Sequence, residues 1–179
     1  MSKGTRIPLA DAIENCKIIE DLIKEYSEQT GTPRLEYIIC GSIRRKSETC
    51  GDGDIVFWEK DREVLSSIMS NAKEAGIVSK METMSSGKVN NVTLPSGFKI
   101  DLWFAEENGW WHKVQFYTGG QSRAYDDELM AKINATGKWL GRTGFFDELG
   151  KRIIVNSEKE LFEAYGLEYV SPENRGNGL

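Results

Sequence analysis

The chain has 179 residues, 39% of them hydrophobic and 28% charged, enough to enclose one sizeable core and too few for two full-sized independent domains. No apolar run reaches eighteen positions, and the N-terminus MSKGTRIPLADAIENC has no basic-then-apolar leader, which argues against a membrane-spanning or secreted protein. A formal charge of −5 excludes coating nucleic acid by bulk charge, and three cysteines (Cys16, Cys40, Cys50) without CxxC spacing suggest neither a disulfide framework nor a sequence-local zinc site, so a reducing, cytoplasmic setting is expected.

The first periodic stretch, Pro8 to about Gln29, predicts a helix with Leu9, Ile13, Cys16, Ile19, Ile23 and Tyr26 on its buried stripe and acids in its first turn. After TGTP, RLEYIIC reads as a strand, GSIRRKSETCG as an irregular polar loop, and DIVFW as a second strand. Asp61 introduces a helix burying Val64, Leu65, Ile68, Met69 and Ala72, with Gly76 at its stop. VSKMETM, NNVTL and KIDLWF then read as a meander with a PSG turn. Beyond Glu106 the composition turns aromatic and glycine-rich. A helix over about Ala124 to Asn134, a hairpin-like stretch containing GRTGFF and GKRIIV, and a short last helix with Ser157 and Glu160 at capping-box spacing follow. The expected fold is α/β of the α+β kind: a mixed sheet flanked by helices, then a small α+β lobe. The first five residues and the tail SPENRGNGL read as poorly ordered.

The segment GDGDIVFW sets Asp52 and Asp54 two residues apart at the mouth of a strand, so both point to one face. A DxD pair alone is usually a solvated turn. Crowded carboxylates are costly without a cation, and hard ions such as Mg²⁺ favour carboxylate oxygens. Asp101 is the candidate third acid: in KIDLWF, Ile100 and Leu102 face one side while Lys99, Asp101 and Trp103 face the other. Ahead of the pair, Gly41, Ser42, Arg44, Arg45 and Gly51 have the composition of a phosphate cradle: close backbone approach, a hydroxyl donor and planar guanidinium forks.

CGSIRRKSETCGDGDIVFW resembles the nucleotidyltransferase signature of the family X DNA polymerases, the group containing DNA polymerase beta. RIPLADA, FYTGG and GKRIIVNSEKELFEAYGLEYVSPENR resemble further stretches of that family, so the likeness spans about Arg6 to Arg175. It implies a nucleotidyltransferase palm over 1–107 and a C-terminal lobe over 108–179 that meets nucleotide and DNA. It also implies catalytic roles for Asp52, Asp54 and Asp101. The first two would bridge two Mg²⁺ ions, for which Mn²⁺ could substitute, and the third would bind one ion beside a primer 3′-hydroxyl. Ser42, Arg45 and Gly51, with Gly41 and Arg6, would hold the triphosphate of a dNTP. Cys50 stands where the best-known member has serine, so its backbone N–H is the expected contact. Tyr117, Thr118 and Gly119 match the segment lying against the nucleotide sugar.

Only five residues precede Arg6, so the expected form is the palm-plus-lobe type known from viral polymerase X, without lyase or helix-hairpin-helix modules. The lobe lacks the asparagine and arginine that the family sets against the minor groove; Ala124 and Glu128, or Asp126 and Met130 with a two-residue insertion, stand there instead. Lys99, Arg123, Lys132 and Arg142 are the candidate DNA contacts, with Lys138, Lys151 and Arg152 adding local positive charge.

The resemblance implies a DNA-directed DNA polymerase filling short repair gaps: a monomer acting on a primer-template or gapped duplex, with no membrane partner. Two rivals stand beside it. One is a template-independent, RNA-directed or protein-directed nucleotidyltransferase; the other is a silent DNA-end-binding scaffold. Trp110, Trp111 and Tyr117 read as packing aromatics, Cys16 and Cys40 as core, and His112, the lone histidine, as a residue near the surface.

Overall fold

A computed structural model describes residues 5–85, 87–141 and 144–176 of the chain. The order is β1 (Ile7–Pro8), α1 (Leu9–Thr30), β2 (Tyr37–Ile39), α2 (Gly41–Arg44), β3 (Thr49–Cys50), β4 (Gly53–Trp58), α3 (Arg62–Glu74), β5 (Lys80–Thr83), β6 (Val89–Thr93) and β7 (Lys99–Ala105). There follow α4 (Trp110–Thr118), α5 (Arg123–Ala135), β8 (Trp139–Gly141), β9 (Gly144–Phe146), β10 (Arg152–Ile153) and α6 (Glu158–Tyr165).

The α1 helix starts after Pro8 and stops at Gly31, whose positive φ of 68° lets its N–H reach the Ser27 carbonyl. Its buried stripe is Ala12, Cys16, Ile19 and Ile23. Ile13, expected on that stripe, is 47% exposed, because at about 100° per residue Ala12 holds the inward direction one position earlier. Together with Leu65, Ile68 and Met69 of α3, this stripe covers Ile55 and Phe57 of β4 and Ile100, Leu102 and Phe104 of β7. Each such side chain contributes about 1.5–3 kcal/mol on burial.

The large sheet is mixed, with order β2-β4-β7-β6-β5 and only β4 and β7 parallel. Because strand residues alternate in direction, the face opposite α1 and α3 carries Asp54, Val56, Asp101, Trp103 and Ala105. Val114 of α4 covers Val56 and Ala105 there, together with Cys40, and leaves the acidic end of the face open. The lobe packs α5, α6 and the antiparallel β8-β9-β10 ribbon around Tyr125, Leu129, Ile133, Phe145, Leu161, Phe162 and Tyr165. No helix among the described residues is long and apolar enough to cross a membrane.

Four expectations are corrected. The stretch after Cys40 is not wholly irregular: it opens with the single turn α2. The aromatic segment after Glu106 contains α4, whose residues have modest helix propensity and are held helical by packing against both cores. His112 is 4% exposed, because it sits on the α4 side facing Phe145 of the lobe. In the tail, Pro172–Asn174 form a 3₁₀ turn and Arg175 is fully buried; its guanidinium finds a carboxylate, described below, that composition does not reveal. Met1–Gly4 and 177–179 lie outside the described residues. Trp110 stacks on Trp58 at 4.2 Å and Trp111 packs against both lobe and junction clusters, so these aromatics are packing elements.

Candidate active site

The parallel register pairs Asp54 with Asp101 directly, and neighbouring strands run about 4.8 Å apart, so the two carboxylates rise side by side. Asp52 precedes Asp54 by two positions on the same strand line. The row continues outward through Asn91, opposite Asp101, and Glu82, opposite Asn91.

This crowding shows in the titration of the acids. Burial, then the Asp101 charge, pushes the Asp52 carboxyl upward. Burial pushes Asp54 up to about 6, with Asp52 and Asp101 adding repulsion and the Trp103 indole opposing it. Trp103 Nε1 donates to Asp54 Oδ1 at 2.8 Å, and Lys99 Nζ lies 2.8 Å from Asp101 Oδ1. Sequence alternation had already set Lys99 and Trp103 on this face, but not the partners each would take.

Asp52, Asp54 and Asp101 offer carboxylate oxygens only, the donor type that Mg²⁺ favours. Among the described residues, no three or more acidic, histidine or cysteine side chains are placed so that they could hold a metal ion. Lys99 and Trp103 instead supply the positive charge and the donor.

Cys40 follows β2 and its N–H donates to the Asp54 carbonyl at 2.7 Å, which seats the α2 turn over the acids. Gly41 adopts φ +60°, and a Cβ there would overlap Asp54 Oδ2, so the turn requires glycine on two counts. Ser42 is half-buried in the same turn, and its carbonyl accepts from Ser47 N–H at 3.0 Å. Arg45 Nη1 donates to the Thr118 carbonyl, while its buried Nε has no hydrogen-bond partner among the described residues. An orphaned guanidinium N–H beside a glycine turn is what an anion would satisfy. Arg6 hydrogen-bonds Thr49 through side chain and main chain and lies beside Gly51. Cys50 is fully buried, and its thiol belongs to the core beneath the large sheet.

On the lobe side, Tyr117 stacks on Trp103 with centroids 3.9 Å apart. Thr118 is fully buried, and Gly119, at φ +54°, caps α4 through Gln115. Asp126 accepts from Gly120 N–H at 2.9 Å and faces the Arg45 charge. Thus Arg45, Thr118, Gly119 and Asp126 close one wall. Reading the sequence missed Asp126 as a group facing this pocket; it was named only as a displaced minor-groove position.

The proposed DNA contacts are largely engaged within the chain. Lys99 is paired with Asp101, Arg123 is 3.6 Å from Asp127, and Lys132 is 3.1 Å from Glu128. Lys138 donates to the Ala164 carbonyl, and Arg152 pairs with Glu106. Lys151 is exposed. Arg142 lies outside the described residues.

A charge cluster that sequence reading did not find joins the two halves. Arg44 makes a bidentate pair with Glu158 at 2.9 and 2.8 Å and donates to Thr118 Oγ1 at 2.8 Å. Arg175 lies 3.0 Å from the other side of Glu158. The loop, the lobe helix α6 and the C-terminal turn therefore meet at one buried carboxylate.

Two family models match the chain: the DNA polymerase beta palm over residues 6–92 and the DNA polymerase beta thumb over residues 114–176. The chain belongs to the DNA polymerase beta family. Its palm match contains Arg6, the α2 turn, Asp52 and Asp54; its thumb match contains Val114 to Thr118, Asp126, Glu158 and Arg175. Asp101 lies between the two matched stretches, and the β4/β7 register alone brings it beside Asp54.

Gly41→Ala tests the turn. The left-handed φ costs about 1–2 kcal/mol for an L side chain, and the new methyl pushes the Asp54 carboxylate aside. We expect kcat/KM for nucleotide addition to fall by about 10²-fold, with melting lowered by only a few degrees; unchanged kinetics would show that Asp54 tolerates displacement.

Proposed function

We propose that this chain transfers a deoxynucleotide to a DNA primer 3′-hydroxyl with release of pyrophosphate, acting on gapped duplex as a short-patch repair polymerase. The observation that carries it is the side-by-side placement of Asp54 and Asp101, with Asp52 close enough for its charge to act on both. Family membership supports the reaction class.

Phosphoryl transfer needs charge neutralisation and alignment rather than covalent work by the protein. Arg45, with its free Nε, and the backbone of Gly41, Ser42 and Gly51 would hold the triphosphate, with Arg6 beside Gly51. Asp52, Asp54 and Asp101 would hold two Mg²⁺ ions, which supply neutralisation of the phosphates and lower the pKa of the attacking hydroxyl. Gly119 and Tyr117 would bound the sugar side, with the Thr118 carbonyl holding Arg45 and the Asp126 charge facing it. The attacking oxygen bonds to the α-phosphorus as the bond to the bridging oxygen of pyrophosphate breaks.

Untemplated transfer is the second reading, and the minor-groove positions favour it. Whether they are Ala124 and Glu128 or Asp126 and Met130, neither pair gives the base pair a donor fork. Single-nucleotide extension of a gapped duplex with each dNTP and rNTP decides. The proposal expects addition of the complementary dNMP on the gap at least tenfold faster than on single strands. Equal rates on both substrates would favour a terminal transferase, and DNA binding without dNTP or metal binding would leave a silent end-binding scaffold.

A further inference from the structure

The connection between α4 and α5 holds two opposite charges. The Thr118 carbonyl accepts from Arg45 Nη1, and two residues on, Gly120 N–H donates to Asp126 Oδ1 at 2.9 Å. A Cβ on Gly119, between them, would stand 3.3 Å from both Asp126 oxygens, so the carboxylate lies against this segment. One three-residue stretch therefore anchors a guanidinium from the palm and a carboxylate from the first turn of α5.

An acid in the first turn of a helix is ordinary, but Asp126 is half-buried and faces two arginines, Arg45 and Arg175. Among the described residues it makes no ion pair with either. Of the charges acting on Arg45, that of Asp126 is the largest, ahead of Asp54. Burial pushes the Asp126 carboxyl upward, against the pull of Gly120 N–H and the Arg45 charge. Arg45 still keeps a buried Nε with no hydrogen-bond partner among the described residues, so the carboxylate leaves the guanidinium open to a ligand. What it changes there is the potential. An anion drawn to the Nε meets a like charge that a half-buried setting screens poorly, and its affinity falls.

Given the reading of Arg45 and the α2 turn as the triphosphate site, we infer that Asp126 is a counter-charge that limits polyphosphate affinity there and lets pyrophosphate leave after transfer. A nucleotide gains further contacts on its sugar side, at Tyr117 and Gly119. Pyrophosphate has the phosphate pocket alone, so the repulsion sets how long it stays.

Asp126→Asn keeps the shape and the acceptor for Gly120 N–H and loses the charge; Asp126→Ala loses both and serves as the second variant. The Arg45 Nε–H resonance of the full chain, assigned by its absence in Arg45→Lys, is followed as inorganic pyrophosphate is added in EDTA. It should shift saturably in the wild type and at about tenfold lower pyrophosphate in both variants. With Mg²⁺ and primed DNA, KM for dNTP should fall in Asp126→Asn. Pyrophosphate should inhibit it at about tenfold lower concentration, and steady-state kcat should drop while the first turnover keeps its rate. A brace for the loop predicts otherwise: Asp126→Asn like the wild type and Asp126→Ala weaker. A residue that orients Arg45 by charge predicts weaker binding in both. Either pattern overturns the counter-charge and spares the triphosphate reading. An Arg45 signal unmoved by pyrophosphate in every protein removes that reading and the inference with it. Tighter binding in the variants without primer extension by the wild type removes the polymerase reading alone.

Discussion

Glu158→Ala is expected to destabilise the protein by about 3–5 kcal/mol, because it strands one fully buried and one half-buried guanidinium group. The Glu158 side chain is 4% exposed, Arg44 20% and Arg175 0%. A buried pair gains little over an apolar replacement of the same shape, yet losing one partner leaves charge without compensation. Arg175 retains only the Val170 carbonyl and the face of Phe162, while Arg44 retains Thr118. Urea unfolding should show the loss with an unchanged m-value. Glu158→Gln keeps one acceptor and the shape, and should cost less than half as much. The same substitution frees α2 from the thumb, so KM for dNTP should rise more than kcat falls. A variant as stable as the wild type would mean that water reaches both arginines.

Much of this fold was legible because periodicity reports burial. The α3 stripe, the alternation in KIDLWF and the Ser157 cap all stand as expected, with Ser157 Oγ accepting from Glu160 N–H at 3.1 Å. Glu160 in turn accepts from Asn156 rather than from Ser157, a detail set by the chain's entry angle. The α4 helix was hidden because WWHKVQFYT lacks strong helix formers and a polar face; tertiary contacts on two sides decide it. For the candidate site, Asp52, Asp54 and Asp101 were readable from a two-residue spacing and from an acid within an apolar strand. Their side-by-side register is long-range pairing, which no local pattern encodes. Partner choice was likewise invisible: Arg44 and Glu158 are 114 positions apart. Among the lobe charges expected at DNA, i,i+4 spacing also sets Arg123 by Asp127 and Lys132 by Glu128 on the surface of α5.

Asp54→Asn should lower nucleotide addition by about 10³-fold or more and, without metal, make the protein more stable at neutral pH. The two effects share one cause. Asp54 is held near 6 by burial and by its acidic neighbours, against 3.8 for an ordinary aspartate. The folded state therefore binds more protons than the unfolded chain between about pH 4 and pH 6, and stability falls as pH rises through that window. Above it the penalty is constant, at about 1–3 kcal/mol. Asparagine carries no charge to desolvate and can still accept the Trp103 N–H. In EDTA the variant and wild type should melt together near pH 4 and diverge by pH 7, with the variant higher. Added Mg²⁺ should raise the wild type and leave the variant nearly unmoved, since an ion that binds only the folded acids stabilises by mass action. A variant less stable than wild type at pH 7 in EDTA would show that Asp54 is already compensated within the chain, and the crowding that motivates a metal here would vanish with it.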